Sequence, residues 1–290
     1  MYGRPLCSDD EAMDRGFRGP ECARRRRVLQ ETLARFEDQD GLQQGFFHRI
    51  ADINLLRWRK NRVAPPSKLC VEVHKGDWGV VTQSLTLKYG ECFAALNMAN
   101  AYYPGGGYVE GASAQEENMF RRTDCHFRID YRQYDRDLDR YRPEMTRLIS
   151  AEDGVVYLDT LRPRVCIRGP EDRGREDLGY DWLPENEIFP FFELCAAAQD
   201  LYHPSEFDPV EGRKRIAAQL DTLRYQGVRH AVLGASGCGA FRNPADLVAE
   251  IYREEIDKRA VDFSVIAFAI FSAGYGPDNY TPFAEMFSQA

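Results

Sequence analysis

Hydrophobic positions along this chain switch repeatedly between helical and strand periods. From Pro20 to Asp40, Val28, Leu29, Thr32, Leu33 and Phe36 recur at helical spacing with arginines and acids opposite, which predicts an amphipathic helix. Phe46, Phe47, Ile50, Ile53, Leu55 and Leu56 predict a second helical stretch within residues 41–68, broken by Pro65 and Pro66. Leu69 to Val73 reads as a strand ending at Lys75-Gly76-Asp77, and Phe93 to Met98 as a buried strand running into Asn100. Asp130 to Ser150 reads as helical, and residues 154–159 and 164–168 as two short strands around Pro163. The polar stretch Glu171 to Tyr180 is expected to be a mobile loop, and Phe189 to Ala198 suits helix or strand equally.

The last third is clearer. A helix spans Gly212 to Gly227, with Gly227 as its C-cap, and a strand spans Arg229 to Leu233. Asn243 then reads as an N-cap, with Pro244 at the first turn of a helix running to Asp257. Phe263 to Phe271 is a buried strand and Pro282 to Ser288 a short helix. Strands alternating with helices argue for a mostly parallel or mixed sheet covered on both faces, the α/β class. Residues 1–19 show no periodicity and read as an irregular lead-in. No internal repeat or linker divides the chain, so one domain over residues 1–290 is expected.

Composition narrows the function. The 290 residues are 43% hydrophobic and 29% charged, as in globular proteins, with a net charge of -8 that argues against binding a nucleic-acid backbone. The run Arg24 to Arg27 lies in a helical pattern and reads as a solvated face. No apolar run reaches membrane-spanning length, and the first residues lack the apolar centre of a signal peptide. The eight cysteines have no C-x-x-C spacing and no zinc-ligand interval with histidine. The expectation is an intracellular, cytoplasmic protein (nuclear if the source is eukaryotic), monomeric, off the membrane, with no metal and no cofactor.

Two glycine loops carry the candidate chemistry. In the first, Gly105, Gly106 and Gly107 follow a strand and are separated by seven residues from Gln115, Glu116 and Glu117. Glycines let backbone pass close to a ligand, and adjacent carboxylates suit acid/base work at a sugar-like centre. A surface loop ending in an acidic helix start is the plainer reading. The second, Gly234 to Phe241, joins a strand to a helix, so its N–H groups suit a phosphate; an ordinary tight turn is again the alternative. It lacks the lysine of a P-loop, the third glycine of a dinucleotide fingerprint (Arg242 stands there) and the glycine that would make Ser236 an elbow nucleophile (Cys238 stands there). A diphosphate-hydrolase box starting at Gly111 and Glu117 fails at Cys125-His126. Together the loops suggest one pocket for a nucleoside diphosphate joined to a sugar.

The segment LNMANAYYPGGGYVEGASAQEE resembles the signature of bacterial- and fungal-type poly(ADP-ribose) glycohydrolases, which are macrodomains. VLGASGCGAFRNPADLVAEIY is similar to their diphosphate loop and following helix, and VEVHKGDWGVVT to the early macrodomain strand and Gly-Asp turn. The resemblance covers most of residues 22–288 and loosens over about 126–205, which look enlarged. It implies a macrodomain-like three-layer α/β/α sandwich with a mixed central sheet. It further implies that Glu117 is the acid protonating the leaving oxygen, that Glu116 holds ribose hydroxyls, and that Gln115 supports it. By the same resemblance Ser236, Gly237, Cys238, Gly239, Ala240 and Phe241 form the diphosphate loop, with Phe241 stacking on ribose or adenine. Asp77 would contact adenine, although an aspartate after glycine is also a plain turn residue. Asn97 and Asn100 would hold the distal ribose, or one of them merely caps the strand.

The implied partners are ADP-ribose, poly(ADP-ribose) or ADP-ribosylated proteins. The implied reaction is hydrolysis of the ribose–ribose bond. The alternatives are removal of single ADP-ribose units from side chains, arginine first, with Glu110 suiting a guanidinium, and ADP-ribose binding without catalysis. Partial burial and a neighbouring carboxylate push the acid's pKa up against the pull of a helix N-terminus, a bound diphosphate would add to that, and the pKa is expected to rise on substrate binding.

Overall fold

A computed structural model describes residues 3–43, 45–130, 132–201, 205–272 and 276–288. Positions 131 and 202–204 of the divergent middle segment therefore lie outside the described residues. The helices in chain order are α1 (Asp9–Asp14), α2 (Pro20–Gln43), α3 (Phe46–Lys60), α4 (Trp78–Tyr89), α5 (Gln115–Arg122), α6 (Pro143–Ile149), α7 (Pro209–Tyr225), α8 (Ala245–Asp257) and α9 (Tyr280–Phe287). The strands are β1 (Cys70–Lys75), β2 (Ala94–Met98), β3 (Tyr134–Asp135), β4 (Arg140–Tyr141), β5 (Tyr157–Leu158), β6 (Arg164–Cys166), β7 (Phe189–Ala196), β8 (His230–Leu233) and β9 (Val265–Ile270). The chain forms two compact units, each assembled from three runs: 1–56, 99–146 and 164–190 in the first, 57–98, 147–163 and 191–290 in the second.

The second unit is built on a seven-stranded sheet in the order β1-β9-β8-β2-β7-β5, with β6 also pairing with β7, whose first residues Phe189 and Pro190 belong to the first unit. β1, β9, β8, β2 and β7 run parallel, and β5 antiparallel to β7, so the sheet is mixed and mostly parallel. Side chains alternate between faces along each strand. Leu194, Leu233, Ile266 and Phe268 join residues of α7, α8 and α9 in one buried core. Phe191, three residues before Leu194 and so on the other face, meets Trp78 of α4 with ring centroids 5.2 Å apart. Helices thus cover both faces, giving the three-layer α/β/α arrangement. Lys75 lies opposite Ile270, and Leu233 opposite Phe268, so the carboxyl ends of β1 and β8 flank β9 at one edge of the sheet.

The first unit is held by α2, α3 and α5. Phe36, Phe47, Ala51, Val165, Ile167 and Ile188 form one buried cluster in it. A short antiparallel hairpin, β3–β4, precedes α6.

Several elements differ from the sequence expectation. Only Pro143–Ile149 of the 130–150 stretch is helical, because Asp135 Oδ1 takes the N–H groups of Asp137 and Leu138 in a turn and Asp139 adopts φ +48°. The lead-in contains α1, closed by a capping box between Ser8 and Glu11. α4 was not anticipated; Asp77 caps it and Gly90, at φ +62°, ends it. The 171–180 loop is not a loose polar excursion, since Glu171, Leu178 and Tyr180 are buried. Phe189–Ala196 is a strand. α8 begins at Ala245 with Pro244 in the cap position, and Asn243 instead donates its amide to the carbonyls of Gln199 (2.7 Å) and Phe241 (3.1 Å).

Candidate active site

The first glycine loop folds back onto the first turn of α5. Asn100, just beyond β2, starts it: its Oδ1 accepts the N–H groups of Tyr102 (2.8 Å) and Tyr103 (2.9 Å), and its own N–H donates to Glu116 Oε2 (2.7 Å). Gly105 N–H donates to Glu116 Oε1 at 3.1 Å. Both oxygens of Glu116 therefore hold loop backbone. Gly107 N–H donates to Glu117 Oε1 at 2.9 Å, while Glu117 Oε2 is buried and has no hydrogen-bond partner among the described residues. Between these donors Gly106, at φ +55°, lies so close that a Cβ there would meet Glu117 Oε1 at 2.5 Å and Glu116 Oε2 at 3.1 Å. A glycine is required on both counts.

The two carboxylates thus have different surroundings, which separates their roles. Burial pushes the Glu117 carboxyl above its ordinary range; the Gly107 N–H and Arg121 pull it back, and Glu110 adds to the rise. The direction matches the sequence expectation. The neighbouring acid that contributes is Glu110. Glu110, however, is already engaged: its Oε1 accepts from Arg4 (3.1 Å) and Arg15 (2.6 Å). Its Oε1 is occupied by guanidinium groups of this chain, while its buried Oε2 has no hydrogen-bond partner among the described residues, so the support it lent to an arginine acceptor is weakened.

α5 carries four charges in eight residues, yet Glu116 through Arg122 are all buried. Internal partners allow this. Arg121 donates to Ala112 O (2.7 Å) and Tyr180 OH (3.0 Å), and Tyr180 donates to Glu171 Oε2 (2.6 Å). Arg25 of α2 closes the chain on Glu171 Oε1 at 2.8 Å. Arg122 donates to Asn118 Oδ1 (3.0 Å) and Arg168 O (3.1 Å). Gln115 is half-buried at the start of the helix.

In the second unit, the turn after β8 is shaped by its own backbone. Cys238 N–H donates to Ala235 O (3.1 Å), Arg242 N–H to Gly239 O (3.1 Å) and Asn243 N–H to Gly237 O (3.0 Å). Gly237 has φ +75°, and a Cβ there would meet Ala198 Cβ at 2.5 Å. Ser236, Gly237 and Cys238 are buried, Gly239 and Ala240 exposed, and Phe241 half-buried. Among the described residues the N–H groups of Gly239, Ala240 and Phe241 have no protein acceptor. This is the donor set an anion would take. Asp77 lies at the same sheet edge, past β1, where its Oδ1 accepts the N–H groups of Gly79 (2.9 Å) and Val80 (3.1 Å). Its observed work is capping. Asn97 sits inside β2, fully buried, and donates to Glu193 Oε1 at 2.9 Å.

Residues 30–157, which include the whole first loop and α5, match the family model described as the microbial-type PARG catalytic domain. This stretch is thus similar to that catalytic domain. Solved structures agree on the fold. Poly(ADP-ribose) glycohydrolase from Thermomonospora curvata is 22% identical with a TM-score of 0.61, over 91% of this chain and 99% of that one. The same enzyme bound to the inhibitor ADP-HPD gives 21% and 0.57 over the same shares. The Deinococcus radiodurans enzyme in complex with ADP-ribose gives 22% and 0.55, over 83% of this chain and 92% of that one. No curated protein matches the chain.

Sequence reasoning missed what stands behind the carboxylates: Arg4, Tyr108, Arg121, Glu171 and Tyr180. The signal available was Arg121-Arg122 following Met119-Phe120 on a helix too short to expose them all. A cavity of about 740 Å³ in the first unit, lined in part by Arg24, Glu31, Arg168, Asp181 and Trp182, contains none of the expected site residues. Its charges largely pair with one another, as in Arg24–Glu176, Arg168–Glu31 and Arg175–Asp181. Among the described residues no group of three or more His, Cys, Asp or Glu is placed to hold a metal ion, and no helix is long and apolar enough to cross a membrane.

Proposed function

We propose that this protein is an ADP-ribosyl glycohydrolase that hydrolyses the ribose–ribose bond of poly(ADP-ribose), with Glu117 as general acid. The observation that carries this is the asymmetry of the acid pair: Glu116 accepts N–H groups on both oxygens, while Glu117 has one oxygen anchored and the other unpartnered. Burial favours the protonated carboxyl there. Glu117 gives its proton to the leaving ribose oxygen as the glycosidic bond breaks. Water then adds to the oxocarbenium-like carbon and returns a proton to the Glu117 carboxylate, restoring the acid. Glu116 keeps the loop in register. The turn 236–241 takes the diphosphate on its N–H groups, a reading supported by the undonated N–H groups of Gly239, Ala240 and Phe241. The whole chain acts as one catalytic protein.

Two experiments test this. Poly(ADP-ribose) and arginine-, serine- and glutamate-linked mono(ADP-ribosyl) proteins are offered side by side, and released ADP-ribose is measured; release from the polymer is expected, and release from a mono-linked protein alone would overturn the substrate. Glu117→Gln is expected to lower kcat about 100- to 10,000-fold with ADP-ribose affinity retained. Because the acid must hold its proton, kcat of the unaltered enzyme falls as pH rises through the raised pKa. Full activity in the glutamine variant would sink the assignment.

A further inference from the structure

Arg4 lies far outside the signature and inside the site. It is only 4% exposed, and every nitrogen of its guanidinium is engaged: Nη1 donates to Gly106 O at 2.5 Å, Nη2 to Glu110 Oε1 at 3.1 Å, and Nε and Nη2 to the two oxygens of Asp139 at 2.8 and 2.7 Å. Asp139 is fixed in turn by Tyr134 OH at 2.7 Å. The backbone beside Arg4 is threaded tightly. Its N–H donates to Tyr108 OH (3.3 Å), Tyr108 OH meets His126 Nδ1 (2.8 Å), and a Cβ on Gly3 would run into the His126 ring.

The oxygen that Arg4 grips belongs to the peptide joining Gly106 to Gly107. The N–H of that same peptide donates to Glu117 Oε1. The peptide is trans, as are all peptides described, so its C=O and N–H point in opposite directions from one rigid plane. Fixing the oxygen fixes the donor. Gly106, at a left-handed φ, and Gly107 both lack a Cβ and would otherwise let this plane rotate easily. A cation on the oxygen also polarises the peptide and strengthens its N–H as a donor.

We propose that Arg4 is a positioning residue for the acid: through one peptide plane it sets the N–H that anchors Glu117 Oε1, and so aims Oε2 at the substrate. Asp139 and Glu110 hold the guanidinium in place. Rotation of the 106–107 peptide would turn a carbonyl toward the Glu117 carboxylate and take one away from Arg4, and the clamp opposes both. This rests on Glu117 being the acid.

The test compares Arg4→Ala and Arg4→Lys with the unaltered protein. Three quantities are measured: kcat on poly(ADP-ribose), the dissociation constant for ADP-ribose, and amide hydrogen exchange of a peptide containing Gly105 to Gly107. In Arg4→Ala, kcat falls about 100-fold, the size expected when a catalytic group is displaced by about 1 Å, while ADP-ribose affinity changes far less. Exchange at Gly107 speeds up. Added guanidinium ion at millimolar concentration restores part of kcat. Arg4→Lys reaches Gly106 O without the forked contact to Asp139 and is intermediate. It also serves if the alanine variant does not fold. Unchanged kcat and unchanged exchange in either folded variant would overturn the proposal, as would equal losses of kcat and affinity without rescue. If the unaltered protein releases no ADP-ribose, the functional reading fails, while the exchange measurement still decides whether Arg4 holds the peptide.

Discussion

The loop at 104–111 is braced by acidic side chains of the helix that follows it and by arginines from far earlier in the chain, whereas the turn at 234–243 is braced by its own backbone and by the amides of Asn243 and Asn279. Arg4, Glu116 and Glu117 all end on the first loop's main chain, and Arg26 adds a bond to Glu110 O at 3.0 Å. Asn243 closes the second turn. On the proposed function, the difference follows from what each would hold. An acid needs two equivalent oxygens made inequivalent, which takes donors fixed in direction. A diphosphate needs several N–H groups left undonated, which a glycine turn supplies without buried charge. The first loop should therefore fail when a charge is removed, and the second when a methyl is added.

The largest expected effect lies behind α5. Glu171→Gln leaves Arg25 and Arg121 short of their carboxylate and should cost about 3–5 kcal/mol in urea unfolding. A loss under about 1 kcal/mol would show that the charges are not bracing the helix. The variant also carries a pH signature. Burial alone would raise the Glu171 carboxyl, but Arg25, Tyr180 and Arg121 hold it down at about 2, against an ordinary 4.5. Its stabilisation is fully present above about 4.5 and disappears as pH falls toward about 2, so the glutamine variant should lack that part of the acid sensitivity.

A smaller effect is expected from Gly237→Ala, about 1–3 kcal/mol, from a left-handed φ and contact with Ala198. The smallest change in stability comes from Gly239→Ala, within about 0.5 kcal/mol, because that position is exposed, opens on free space and has an ordinary φ. Its methyl nevertheless stands beside the undonated N–H groups, so calorimetry should show weakened ADP-ribose binding. Normal binding in Gly239→Ala alongside normal stability would remove this turn from the diphosphate site.

The parts legible in the sequence were those that a local pattern reports. Strand ends followed by glycines placed both loops, and the patterns over 69–73, 93–98 and 212–271 gave β1, β2, β8 and β9 with α7 and α8. α4 escaped because seven of its twelve residues, Trp78 to Tyr89, are buried and it shows no polar stripe, although Asp77 and Gly90 mark its ends. The 130–142 stretch misled because its charges serve turns: Asp130, Asp135 and Asp139 bond locally or to Arg4. Arg4 was illegible in principle. It meets Glu110 and Asp139 at separations of 106 and 135 residues, and contacts that distant leave no period to read.

The interleaving of the two units bears on how the protein is made. The first unit lacks a full set of pieces until Pro190 has been synthesised, and the second draws on segments from both its earliest run and its last. Arg25 is translated nearly 150 residues before Glu171, its partner in a buried ion pair. During synthesis the early helices must wait with apolar and charged faces uncovered, a condition that favours slow folding and holdase dependence. Cutting the gene between the two glycine loops would separate the proposed acid from the proposed diphosphate turn but would not release a self-contained half.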